Sequence, residues 1–260
     1  MDIVFVGAGR LATNMARALQ ERGHRIVAVY SRTPESAQAL SSIVGGKATH
    51  QLGALPLLAD AYLVAVKDVV LPALLPELAK GRVGCPVFHT AGSMPLSVFE
   101  GSGFQHYGVV YPMQTFSKER QVDFSTIPIF IEGSSDRASR VATELATSLS
   151  GKTYPLSSEK RRYLHLAAVF ACNFANHCYA LSAEILERQG VPFEVMLPLI
   201  SETAEKVATM APRDAQTGPA VRFDENVIHA QTALLEEQPL AQQVYRLMSQ
   251  SIHQLAEETR

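Results

Sequence analysis

Apolar runs alternate with amphipathic ones along the first 155 residues. The chain opens on Ile3-Val4-Phe5-Val6, an unbroken apolar run that reads as a strand buried on both faces. A helix-forming stretch at 14–22 follows. A second strand at 25–30, a helix at 34–40 with Pro34 in its first turn and a short strand at 48–51 come next. The pattern then predicts strands at 61–66, 85–89, 105–110 and 128–131, helices at 69–80 and 136–148, and a last short strand at 152–155. Strands alternating with helices imply an α/β domain built on a mostly parallel, doubly wound sheet, assigned to residues 1–155.

The period then changes. Between 158 and 189 there is no Pro or Gly, which predicts one helix of roughly 30 residues, against a mean of about 11–12. Gly190-Val191-Pro192 ends it. Helices at 193–210, 224–236 and 240–258 follow, with a loop of turn formers at 212–223. Residues 156–260 are therefore read as an all-α domain with a long first helix, serving substrate binding and dimerisation. Such a helix after a nucleotide-binding sheet points to a homodimer, the other reading being a long surface helix in a monomer.

The first turn carries the most chemistry. Gly7-Ala8-Gly9-Arg10-Leu11-Ala12 joins the first strand to the first helix. Gly7 permits a tight turn, Gly9 lets the backbone approach a pyrophosphate, and Ala12 lets the helix pack closely on the strand. The helix N-terminus offers free N–H groups and its positive dipole end to the phosphates. The second strand ends in Ser31-Arg32-Thr33 without the carboxylate that binds an adenosine ribose 2′-OH. A guanidinium and two hydroxyls suit a 2′-phosphate, which favours NADP(H) over NAD. Their structural alternative is a solvated Arg32, with Ser31 or Thr33 capping the next helix.

Ligands of open α/β sheets lie outside the carboxyl ends of the strands. Val66 and Lys67 stand at the fourth such end, and Thr90-Ala91-Gly92 at the fifth, where small residues admit a flat ring. Tyr111 to Thr115 follow the sixth, with Gln114 suited to a substrate.

Composition narrows the class. The chain has 260 residues, 47% of them hydrophobic and 18% charged, with a formal net charge of −2. That balance fits a globular protein and gives no electrostatic reason for a nucleic-acid or membrane partner. Cys85, Cys172 and Cys178 form no CxxC pair and read as reduced thiols of a cytoplasmic protein; no signal peptide is visible. Apolar runs stop well short of the ~20 residues of a membrane span. The His and Cys residues show no metal-ligand spacing.

These segments resemble a bacterial group in the 6-phosphogluconate dehydrogenase-like Rossmann superfamily, whose C-terminal half is the domain of unknown function 2520. Its members are often named NADP oxidoreductases by analogy with deazaflavin-dependent NADP reductases. The resemblance rests on the Gly7–Ala12 and Ser31–Thr33 motifs, His89-Thr90-Ala91-Gly92, and the runs beginning at Pro112, His165 and Thr217, so it spans nearly the whole chain. Many relatives carry His where this chain has Tyr111. The resemblance implies a two-domain, usually dimeric reductase-like architecture and supplies no substrate. It also implies that the reacting carbon lies between the nicotinamide and the start of the long helix.

A helical wheel of about 100° per residue places Cys172 and Asn176 within about 20° of His165, and Asn173 about 80° away. Polar groups clustered among small and apolar residues need partners. Imidazole titrates near neutrality and suits proton delivery, so His165 is the candidate general acid/base and Asn173 its orienting donor, with Asn176 beside the substrate. The alternative is a hydrogen-bonded core histidine. Arg222 is a candidate carboxylate clamp, and Asp224 is both a helix N-cap and a substrate-site candidate. The reading is an NADP-dependent reductase of a small carbonyl or imine compound. A non-catalytic NADP(H) sensor or scaffold stays open beside it, as does a deazaflavin as hydride partner.

Overall fold

A computed structural model describes residues 1–258. The chain forms two compact units, 1–173 and 174–260, and within the second only residues through 258 are described.

The first unit holds an eight-stranded sheet. Its strands are β1 (Asp2–Val6), β2 (Arg25–Tyr30), β3 (Lys47–Thr49), β4 (Ala61–Val64), β5 (Val87–His89), β6 (Tyr107–Pro112), β7 (Ile129–Gly133) and β8 (Thr153–Pro155). They lie in the order β3-β2-β1-β4-β5-β6-β7-β8. Pairing is parallel from β3 to β6, β7 runs antiparallel to β6, and β8 is parallel to β7. The alternation of apolar runs with helices is thus realised as a doubly wound α/β sheet. The helices are α1 (Arg10–Glu21), α2 (Pro34–Val44), α3 (Leu71–Ala79) and α4 (Asp136–Leu149), and a fifth, α5 (Ser158–Ala168), also belongs to this unit.

Side chains of successive strand residues point to opposite faces, so β1 feeds two cores at once. Ile3 and Phe5 pack with Met15, Leu19, Leu40 and Leu145 of α1, α2 and α4. Val4 and Val6 pack with Leu71, Leu75, Leu78 and Phe99 on the other side. That is why the strand is apolar at every position.

Arg82 has no counterpart in the hydrophobicity pattern. It is 2% exposed, and its guanidinium donates five hydrogen bonds to the carbonyls of Leu52, Leu55, Pro56, Leu78 and Lys80. One fork of N–H groups thereby closes the connection between β3 and β4 over the end of α3.

The expected 30-residue helix is present but not uniform. α5 leads without a break into a π-helical turn, Val169–Phe174, and that into α6 (Ala175–Glu187). The compact units divide within this turn, later than residue 155, where secondary-structure content changes. The second unit continues with α7 (Leu197–Thr209), α8 (Pro212–Ala215), α9 (Pro219–Arg222), α10 (Glu225–Ala233) and α11 (Pro239–Glu257). The loop expected at 212–223 therefore contains two single-turn helices, each started by a proline whose missing N–H costs nothing in a first turn. Among the described residues of this unit, Ala220 and Leu235 are the buried hydrophobics, whereas Leu199, Leu234, Leu240 and Leu247 are well exposed. No helix among the described residues is long and apolar enough to cross a membrane.

Arg82→Met removes five hydrogen bonds; the Leu52 carbonyl keeps the Leu55 N–H and the Pro56 carbonyl keeps the Tyr62 hydroxyl, and the substitution is expected to cost roughly 2–4 kcal/mol. Urea unfolding checks this; an unchanged midpoint would show that water replaces the guanidinium.

Candidate active site

The turn after β1 has the geometry its glycines foretell. Gly7 has φ +117°, and a Cβ there would stand 2.2 Å from the Ala65 carbonyl oxygen, so no other residue fits. A Cβ on Gly9 would meet nothing within 4 Å, which leaves open space in front of the helix. Gly9 is the N-cap of α1 and no side chain caps that end. Its first N–H groups therefore face outward beside exposed Arg10, an arrangement that fits a pyrophosphate. Ala12 is fully buried against the sheet.

Ser31 and Thr33 do not cap α2. Thr33 occupies the N-cap position without a side-chain bond, and its own N–H donates to Ser31 Oγ at 3.3 Å. Arg32 is exposed, and among the described residues no carboxylate pairs with it. These three side chains are thus available to an anion.

Val66 and Lys67 lie one residue beyond β4, after Ala65, and the next residue, Asp68, accepts a hydrogen bond from Ser93 Oγ. The loop after β5 is held from beneath by His89. This side chain is fully buried, stacks on Phe99 at 5.6 Å, and accepts the Ala91 N–H at Nδ1, 3.2 Å. Burial pushes its pKa down to about 3, and the nearby Arg161 charge acts in the same direction. His89 is therefore neutral throughout the physiological range and supports the loop at residues 90–92.

Gly92 is kept small by two neighbouring rings. A Cβ there would stand 2.6 Å from His165 Nδ1 and 2.8 Å from Tyr111 Cζ. The space beside the loop is filled by those two rings. Tyr111, from the end of β6, meets His165, from α5, with its hydroxyl 3.2 Å from Nδ1 and the rings edge to face. Burial pushes the Tyr111 phenol up from its ordinary value, opposed by the positive charge of Arg161.

Arg161 stands one helical turn before His165 and is 1% exposed. It pairs with Glu132 of β7 at 2.6 Å and donates to the Met94 carbonyl at 2.7 Å and to Ser158 Oγ at 3.0 Å. Ser158 itself donates to Glu132 through both N–H and hydroxyl, and its oxygen accepts the Leu96 N–H. Burial pushes the Glu132 carboxyl up, but the bonds from Ser158 and Arg161 outweigh it and hold the group below its ordinary value.

The cavity above these residues has a volume of about 490 Å³. Its polar lining comes from Tyr111, Gln114, Thr115, His165 and Asn173. Gln114 is exposed and its Oε1 accepts the Thr115 N–H. The wheel is corrected by the π turn. A π turn advances by less than the ~100° per residue of an α-helix, so Asn173 comes round toward His165. Asn176 is exposed on α6, in the second unit. Arg222 and Asp224 also belong to the second unit. Arg222 is exposed at the end of α9, and Asp224 caps α10 through Val227 N–H. The preceding residue, Phe223, takes φ +52° and stacks on His253.

Glu132, Ser158 and Arg161 were not singled out by pattern. The available signals were a carboxylate at the end of an apolar strand and an arginine four residues before a candidate catalytic histidine.

Residues 2–84 match the family described as NADP oxidoreductase, coenzyme F420-dependent, and residues 127–252 match the domain of unknown function DUF2520. No curated protein matches the chain. The solved structure of BF3122 from Bacteroides fragilis, provisionally named an NADP oxidoreductase, is similar with 51% identity over 97% of this chain and 98% of that one, at a TM-score of 0.93. Protein TM1727 from Thermotoga maritima shares 25% identity over 98% and 99% of the two chains, with a TM-score of 0.81. A reductive aminase from Aspergillus terreus, in complex with NADPH and ethyl-5-oxohexanoate, shares the fold at 16% identity, covering 100% and 94%, with a TM-score of 0.73. With its dinucleotide turn, its helical second half and this similarity along nearly its full length, the chain belongs to the NADP oxidoreductase family whose C-terminal region is DUF2520.

Proposed function

We propose that the protein is an NADP-dependent reductase that transfers a hydride to a small carbonyl or imine compound, with His165 as general acid/base and Asn173 as the orienting donor. The observation that carries this reading is the convergence of the Tyr111, Gln114, Thr115, His165 and Asn173 side chains on one cavity at the carboxyl ends of the strands. A sensor of the NADP/NADPH ratio has no use for such a set. The carbonyl or imine class draws support from the reductive aminase of the same fold.

The cofactor of this family is NADP. Gly7, Ala8, Gly9, Arg10 and Leu11 would hold its pyrophosphate through backbone N–H groups. Ser31, Arg32 and Thr33 would hold the 2′-phosphate, and Val66, Lys67, Thr90, Ala91 and Gly92 would line the way to the cavity. When bound, NADPH supplies the hydride. His165 gives a proton to the oxygen or nitrogen of the reduced group, Asn173 and Gln114 donate hydrogen bonds to it, and water restores the proton to the imidazole. The second unit's exposed leucines, set against so few buried hydrophobics, support a homodimer that covers them. Three unpaired cysteines support a reducing, cytoplasmic setting.

A screen of small ketones, aldehydes, cyclic imines and a reduced or oxidised deazaflavin, followed by nicotinamide absorbance, tests the reading; no turnover with any class would overturn it. On the active compound, His165→Ala is expected to lower kcat by roughly 10²–10⁴-fold, with NADPH affinity by calorimetry unchanged. Equal kcat would remove His165 from the chemistry. Arg32→Ala is expected to weaken NADPH binding about tenfold or more through loss of a charge-assisted bond, while NADH binding stays put; equal losses would place Arg32 elsewhere. Light scattering is expected to give twice the 28.3 kDa chain mass, and a mass of one chain would refute the dimer.

A further inference from the structure

A histidine that delivers a proton must carry it on the correct nitrogen. Which nitrogen that is depends on the bond made by the other. In this structure Nδ1 of His165 is engaged with the Tyr111 hydroxyl at 3.2 Å and lies over Gly92, where not even a methyl group would fit. The Tyr111 hydroxyl is part of a buried side chain whose one recorded hydrogen-bond partner among the described residues is this nitrogen. A phenol that keeps its proton and has this nitrogen as its partner can donate to it. Nδ1 is then the acceptor, and the ring proton of neutral His165 resides on Nε2, the nitrogen turned away from Tyr111.

The ring is also held from its own helix. Arg161, four residues earlier, lies on the same side of α5. Its bonds to Glu132 of β7 and to the Met94 carbonyl of the loop after β5 tie the first turns of α5 to the sheet and to the segment that carries Gly92. The charged group that acts on Tyr111 is Arg161 from α5, which in turn interacts with Glu132 from β7 and His89 from β5.

We propose that Tyr111 and Arg161 are positioning residues for His165: Tyr111 donates to Nδ1 and holds the imidazole as the Nε2–H tautomer, and Arg161, locked to Glu132, seats the ring between Tyr111 and Gly92. The proposal rests on the reading of His165 as the proton-transfer group. With the hydride delivered to carbon, the Nε2 proton passes to the reduced oxygen or nitrogen and the Tyr111 proton shifts to Nδ1. Water then returns one proton to the pair, so charge and atoms balance. Arg161 offsets the negative charge that the phenol carries in between.

The test needs no substrate. Protein labelled with ¹⁵N-histidine is recorded by long-range ¹H–¹⁵N spectroscopy above the imidazole titration, and the His165 signals are assigned by their loss in His165→Gln. The wild type is expected to show the Nε2–H tautomer. Tyr111→Phe is expected to shift it toward a mixture, Arg161→Met to do likewise, and Arg161→Lys to restore much of the wild-type signature. A wild-type Nδ1–H tautomer, or an unchanged tautomer in Tyr111→Phe, overturns the proposal; the Tyr111→Phe result decides even if Arg161→Met fails to fold. On an active substrate, Tyr111→Phe is expected to lower kcat roughly 10- to 100-fold with KM for NADPH unchanged and the pH profile displaced. A tautomer shift without any change in kcat would leave the positioning intact and sink the catalytic reading of His165 instead.

Discussion

The site depends on one ion pair whose arginine is buried. Glu132 sits on a strand of the sheet and Arg161 on the helix that leaves it; they meet at 2.6 Å, with the guanidinium enclosed and the carboxylate 19% exposed. Removing two charges from water is costly, and the pair is tolerated because its neighbours supply further bonds. Ser158 gives Glu132 two hydrogen bonds, and the Met94 carbonyl takes one from Arg161. Breaking such a pair by deleting one partner typically costs about 3–5 kcal/mol, chiefly through the charge left behind. The same bonds aim α5, so stability and placement of His165 come from one set of contacts.

The π turn is the second constraint. π turns are rare and concentrate at functional sites because they change the face that later residues present. Here the turn begins four residues after His165 and includes Asn173. It brings Asn173 to the cavity wall together with His165. The cost is modest when the wider turn sits among small residues, and Ala167, Ala168 and Ala171 provide that crowd-free surface.

Much of the first unit was legible because its signals are local. A strand buried on both faces must be apolar throughout, and Ile3 to Val6 are. Gly7 announces a turn whose reason is steric, and that reason is present in the structure; Gly9 faces open space. Gly92 was legible as small but not in what approaches it. A small residue signals close approach without saying what approaches, and here His165 and Tyr111 do so from 73 and 19 residues away. Arg82 was illegible as well, since a charged residue in a polar loop gives no sign that five carbonyls converge on it.

What the sequence by itself determined is the kind of fold, the dinucleotide turn with its uncapped helix, the absence of a carboxylate after the second strand, and the long helix with a histidine on it. Each follows from residue periodicity or from steric demands felt within a few residues. Tertiary structure alone decided that Glu132 meets Arg161, that Tyr111 closes on Nδ1 of His165, and that a π turn brings Asn173 to the cavity beside His165. Those outcomes depend on which distant groups can satisfy one another once water is excluded. Such pairings are set by the packed sheet and helix together, and no local pattern records them.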